Sequence, residues 1–261
     1  MKGSGPSRRT FLCSILIADS RTTVLTIAVA DKLLHGGSYV DKYHDYFHAY
    51  PQAGYGQSFI LWAGYRQREP YGSWGNGSAM RVSPVAYAFE TLEEVVAEAG
   101  RSAEVTHNHP EGIRGAQATA VGVFLARTGA SKAEIHRQLE RMFGYDLSTP
   151  LAEIWHDYYF DVSCQGSVPQ SIIAFLESSS YEDAIRKAIS LGGDADTMAC
   201  IAGGIAEAFY DGVPDHISRL ALALLDPPLL DVVNLFRLRY PKDSSSKSSS
   251  DSSCRASPPK P

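Results

Sequence analysis

From Thr22 to Tyr240, apolar residues recur at the three-to-four spacing of amphipathic helices, and runs that alternate apolar with polar are nearly missing. A chain patterned this way has no sheet faces to cover, so its core must be built helix on helix. The helix starts are marked as well. Thr91-x-x-Glu94 and Ser131-x-x-Glu134 read as capping boxes, and Ser180 precedes a stripe of Ala184, Ile185, Ala188 and Ile189. Val24 to Leu34 places Val24, Ile27, Ala28 and Leu34 near one stripe, and the segments around Val121, Ile172, Ile201, Ile217 and Val232 repeat the theme. The pattern predicts a single all-α, multi-helix domain over residues 20–240, with roughly ten helices.

Composition supports a folded core and removes several classes of function. Hydrophobic residues make up 44% of the chain and charged residues 20%, which excludes disorder as the dominant state. The net charge of −5 provides no basic field for nucleic acid. No apolar run approaches the ~20 residues of a membrane-spanning helix, so neither nucleic acid nor membrane is expected as a partner. The four cysteines (Cys13, Cys164, Cys200 and Cys254) show no CxxC spacing, which argues against a disulfide framework or zinc ribbon. Residues 241–261 are rich in serine and read as a disordered tail. Residues 1–19 form a divergent segment in which Arg8-Arg9 resembles a twin-arginine export signal, with Ala28-Val29-Ala30 as a cleavage-like site. Cleavage at Ala30 would cut the Val24–Leu34 helix in half, so the chain is read as cytoplasmic.

The loops carry more information than the helices. Four are crowded with glycine and small polar residues: 72–78, 106–112, 163–167 and 192–197. In the last, Gly192-Gly193-Asp194-Ala195-Asp196-Thr197 sets two carboxylates and a hydroxyl together ahead of an apolar-periodic run, the oxygen ligands that Mg²⁺ prefers. The same residues also suit a helix cap, although capping accounts for one Asp better than for two. Trp74-Gly75-Asn76-Gly77-Ser78 reads either as a tight turn or as a row of N–H groups for a phosphate. His107 and His109 lie close together but lack a third ligand at zinc-site spacing. Cys164 has no nucleophile-elbow context and reads as packing or a pocket wall.

Taken in order, these loops resemble the ADP-ribosylglycohydrolase family. The matching stretches run from Thr23 to Asp31 and from Trp74 to Val82, then through the His107 loop and Ser163 to Pro169, closing on Gly192 to Thr197. Several ordered motifs make a stronger signal than any one alone. The resemblance implies an all-α fold with a cleft for two Mg²⁺ ions, and hydrolysis of the bond joining ADP-ribose to a protein side chain or small molecule. It implies Asp194, Asp196 and Thr197 as metal ligands, Gly75, Asn76, Gly77 and Ser78 as the diphosphate-binding loop, and His107 on the ribose side of the pocket. The implied partner is an ADP-ribosylated protein or an ADP-ribose-containing small molecule.

The chain departs from the family at the other metal half-site, a Thr-Asp-Asp-Thr element before the Val-Leu-Thr helix. Those positions here are Ser20, Arg21, Thr22 and Thr23, so the hydroxyls survive in kind and both carboxylates are gone. The family's upstream catalytic Glu has no counterpart between Met1 and Asp19, so no catalytic residue is assigned. A site stripped of two carboxylates holds paired dications poorly, leaving one Mg²⁺ or none. Arg21 is expected to pair with Asp194 or Asp196 and stand in for a cation. The alternative to an impaired hydrolase is a non-catalytic ADP-ribose-binding module.

Overall fold

Side chains that satisfy the orphan N–H groups of a helix's first turn set about half of the starts in this fold. In the computed structural model, which describes residues 20–241, Ser20, Ser38, Thr91, Ser131, Ser163, Ser180 and Asp226 each accept such a bond at an N-cap. Thr91 and Glu94 form the full reciprocal capping box, whereas at Ser131 only the serine half is present. The divergent segment 1–19, including Asp19 and the export-like motif, lies outside the described residues, as does the serine-rich stretch 242–261.

The described residues are all-α, with fourteen helices. They are α1 (Arg21–His35), α2 (Tyr39–Ala49), α3 (Gln57–Gly64), α4 (Gly77–Met80), α5 (Val85–Ala88), α6 (Leu92–Glu104) and α7 (Pro110–Arg127). After these come α8 (Lys132–Phe143), α9 (Leu151–Asp157), α10 (Cys164–Leu176), α11 (Tyr181–Ser190), α12 (Ala195–Phe209), α13 (Asp215–Ala223) and α14 (Pro227–Arg239). The expectation of about ten helices was too low, because α4, α5 and α9 are too short to show a helical period. None of the helices is long and apolar enough to cross a membrane.

Two helices form the middle of the molecule. α7 and α12 are buried nearly all round and pack on each other, with α7 also touching α4, α5, α6, α8 and α10. Small residues make this closeness feasible: a Cβ added at Gly115 of α7 would lie 2.4 Å from Cys164 Sγ on α10. α1 packs between α2 and α14 and is buried along Thr22–Asp31. Two of the buried charges are held by hydrogen bonds with several elements. Glu98 accepts from Lys32, from the Tyr39 hydroxyl at 2.8 Å and from Arg101 at 2.5 Å. Fully buried Arg81 donates to Ser102 O and Thr106 Oγ1 and lies over the Tyr43 ring.

This packing brings the start of α1, the start of α12 and the 72–78 and 158–163 loops to one place. The loops are stitched by an antiparallel bridge between Gly75 and Ser163, with Asn76 N–H bonded to Val162 O and Cys164 N–H to Trp74 O, both at 2.8 Å.

Candidate active site

Gly192 and Gly193 both have positive φ, +77° and +65°, a backbone region where a side chain is strained. The turn they form delivers Asp194 to the N-cap position of α12, yet its carboxylate makes no capping bond. Capping therefore does not explain this Asp. Its two oxygens point across the molecule instead: Oδ1 accepts from Arg21 Nη2 at 2.9 Å, and Oδ2 from Asn76 Nδ2 at 3.0 Å.

Arg21 is the centre of the cluster. The same Nη2 lies 3.4 Å from Thr197 Oγ1 and 3.5 Å from Asp196 Oδ2, so one nitrogen faces all three oxygens. The other arm of the guanidinium donates to Gly54 O at 3.2 Å, and the Arg21 backbone N–H to Ala53 O at 2.6 Å. The expected pairing of Arg21 with the carboxylates is thus present. Asp194 and Thr197 are buried, whereas Asp196 is one-third exposed. Burial raises the Asp194 carboxyl above the usual range, assisted by the Asp196 carboxyl, while Asn76 and Arg21 pull it back.

These residues do not fit a pair of Mg²⁺ ions. Asp194, Asp196 and Thr197 are the right donors for a hard cation, but the point they share holds a guanidinium nitrogen. With Arg21 beside them the two carboxylates retain one net negative charge, too little for two dications. Ser20 to Thr23, where the resemblance implies the other half-site, supply no carboxylate. Ser20 caps α1, and the Thr22 hydroxyl donates to Met80 Sδ. Among the described residues, no three His, Cys, Asp or Glu side chains gather as a metal site.

The 75–78 loop borders this cluster. Buried Asn76 also donates to Ser167 Oγ at 3.1 Å, linking α10 to the Asp194 oxygens. The Ser78 hydroxyl turns inward and donates to Gly112 O at 2.7 Å, which leaves its side chain engaged with the protein. His107 is buried against the loop: its Nε2 would lie 3.2 Å from a Cβ at Gly77, and its Nδ1 is 2.7 Å from Thr106 Oγ1. Burial, with Arg81 nearby, lowers the His107 pKa well below its usual value, so the ring is neutral near pH 7. It offers shape and a hydrogen bond, not positive charge. His109 is separate from it and caps the start of α7 through Glu111 N–H. Cys164 is buried, bonded to Gly75 O at 3.1 Å, and its thiol is pushed up to about 12 by burial, which suits packing and not nucleophilic attack.

Gly54 and Tyr158 of the cluster had no signal in the sequence, whereas Ser167 lies in the small-residue 163–167 loop. Gly54 contributes only a carbonyl. Ser167 accepts from Asn76, and the Tyr158 hydroxyl donates to Gly166 O at 3.0 Å while its ring lies against Gly193.

The family model described as ADP-ribosylglycohydrolase matches residues 17–242. Human ADP-ribosylhydrolase ARH3 is 31% identical over 191 residues, covering 55% of this chain and 53% of that protein. The mouse ARH3 is 28% identical over 254 residues, covering 72% of this chain and 68% of that protein. ADP-ribosylarginine hydrolase Tri1 of Pseudomonas putida is 29% identical over 170 residues, covering 58% and 46%. The chain spans about half the length of most of the curated relatives it matches. A solved structure titled "ADP-ribosylglycohydrolase-related protein complex" shares the fold with a TM-score of 0.62 at 24% identity, covering 83% of this chain and 80% of that one.

Proposed function

The chain belongs to the ADP-ribosylglycohydrolase family, and from that premise we propose that it recognises the ADP-ribose group of a modified protein or small molecule, with hydrolysis of the anomeric bond weak and independent of a paired Mg²⁺ centre. The observation that carries this reading is the Arg21 guanidinium nitrogen set among the Asp194, Asp196 and Thr197 oxygens. A guanidinium neutralises carboxylates, but it lacks the open coordination positions with which a metal activates water.

Three features favour recognition. Gly75 to Ser78 form a small-residue turn beside the neutral His107 ring, and the family resemblance assigns this loop to the diphosphate. Asp196 is accessible from solvent and can accept from ribose hydroxyls. Trp74 is 54% exposed, and the 158–163 loop bonded to Asn76 carries exposed Tyr159 and Phe160, aromatic faces suited to a nucleobase.

The Mg²⁺-dependent hydrolase implied by the family is the second reading, favoured by the oxygen donors themselves. It requires the Arg21 side chain to leave them. The two readings separate in one experiment. ADP-ribose is titrated calorimetrically in EDTA and in Mg²⁺, and ADP-ribose release is followed from arginine-, serine- and ester-linked substrates under the same conditions. The expected result is equal binding in both buffers, with release slow and insensitive to EDTA. Release that EDTA abolishes would replace this reading with the metal-dependent one, and absence of ADP-ribose binding would remove both.

A further inference from the structure

Two consecutive helices turn apolar stripes to solvent. α13 and α14 are separated only by Leu224, Leu225 and Asp226. Each is anchored by part of its surface. Ala221 is the buried residue of α13, and α14 packs on α1 with Leu229, Val233 and Phe236 buried. The exposed leucines keep a helical spacing of their own, Leu220 with Leu224 at the end of α13 and Leu235 with Leu238 on α14. They are 68%, 55%, 47% and 69% exposed. One exposed leucine needs no explanation, but four on a single pair of helices make the kind of patch that another surface covers.

The charges within the stripes say what that surface is. Arg219 lies beside Leu220 on α13, and Asp231 lies one turn before Leu235 on α14, both exposed. Among the described residues neither takes part in an ion pair, and the Arg219 Nε–H donates to the backbone O of Asp215 at 3.3 Å. Arg239, past Leu238, lies over the Tyr240 ring instead. Arg219 and Asp231 stand six positions to either side of Leu225, which is buried in the connection. Opposite charges at equal distances from one turn make the surface complementary to itself. In a two-fold contact residue i meets residue j and j meets i, so a copy turned about this connection answers both charges at once. A partner of one sign, or an anionic lipid surface, would satisfy one charge and oppose the other.

We propose that α13 and α14 form the contact between two copies of this chain, related by a two-fold axis, with the leucines buried between them and Arg219 of each copy paired with Asp231 of the other. The contact uses no residue of the Arg21 cluster or the 75–78 loop, so it stands independently of the ADP-ribose reading.

Sedimentation equilibrium on the full chain tests this. The parent is expected to dimerise in the micromolar range. Arg219→Asp and Asp231→Arg should each weaken the dimer by about tenfold or more, because either reversal turns two attractive contacts into two repulsive ones. Both positions are exposed, so neither change threatens the fold. Mixed in equal amounts, the two variants should recover a dimer, since each then supplies the charge that the other lacks. Leu224→Lys should leave the chain monomeric at the same concentrations, with its helical circular dichroism unchanged. A monomeric parent, a dimer indifferent to all three substitutions, or single variants that fail to associate when mixed would overturn the proposal. Flotation of a monomeric parent with phosphatidylcholine–phosphatidylserine vesicles would overturn it in favour of a bilayer surface.

Discussion

At the scale of single residues, Arg21 decides what the cluster can hold. Its first-turn position puts a positive charge near a helix N-terminus, where the macrodipole is unfavourable. Asp194 and Asp196, with the carbonyl of Gly54, compensate for it. Arg21→Ala frees three oxygens already disposed around a point, and the variant is expected to acquire a Mg²⁺-dependent melting shift that the parent lacks. For a millimolar site at ten times its Kd the stabilisation is about 1.4 kcal/mol, or a Tm rise of roughly 3–5 °C in a chain of this size. Adding Asp196→Ala should erase the gain. Differential scanning fluorimetry in Mg²⁺ and EDTA reads both variants, and no Mg²⁺ shift in Arg21→Ala would mean that these oxygens do not form a cation site even when vacated.

At the scale of elements, the site depends on how closely helices can approach. α7 meets α10 through Gly115 against Cys164, and α10 in turn carries Ser167, whose hydroxyl accepts from Asn76. Alanine is normally the better residue inside a helix, by about 1 kcal/mol over glycine. Here the added methyl would sit 2.4 Å from a sulfur buried on all sides. Gly115→Ala should therefore destabilise by about 1–3 kcal/mol, the cost of overpacking a filled core. Urea denaturation measures it directly. A gain in stability would show that α10 gives way without cost, and that its spacing does not hold the 75–78 loop.

Across the whole molecule, a buried carboxylate ties α6 to α1 and α2. Burial alone would raise the Glu98 pKa, but the bonds from Lys32, Arg101 and Tyr39 outweigh it, and the net shift is downward. A group with a depressed folded pKa contributes stability above its unfolded value, about 4.3 for Glu, and loses that contribution as pH falls through the folded value. Glu98→Gln should cost about 2 kcal/mol at pH 7, the scale of hydrogen bonds to a charged group. The gap between parent and variant should shrink as the pH drops from about 5 to 3. Denaturation curves at several pH values test this, and a gap that stays constant would remove the ionised carboxylate from the account.

The sequence by itself determined the all-α class, because helical periodicity and capping chemistry are local and survive in any context. Thr91 with Glu94 acts in the fold as its spacing implies, and Ser180 caps α11. The ordered glycine-rich loops were legible for the same reason, and so was the absence of a carboxylate from Ser20 to Thr23. The short helices α4, α5 and α9 were not, since four to seven residues do not complete two turns. Only the tertiary structure decided which partners the charges take. Arg21 and Asp194 are 173 positions apart, and their meeting depends on α1 and α12 presenting their first turns to the same space. The inward turn of Ser78 and the neutral burial of His107 belong to the same class of fact. Each depends on what is packed against the side chain, and a linear pattern does not encode that neighbour.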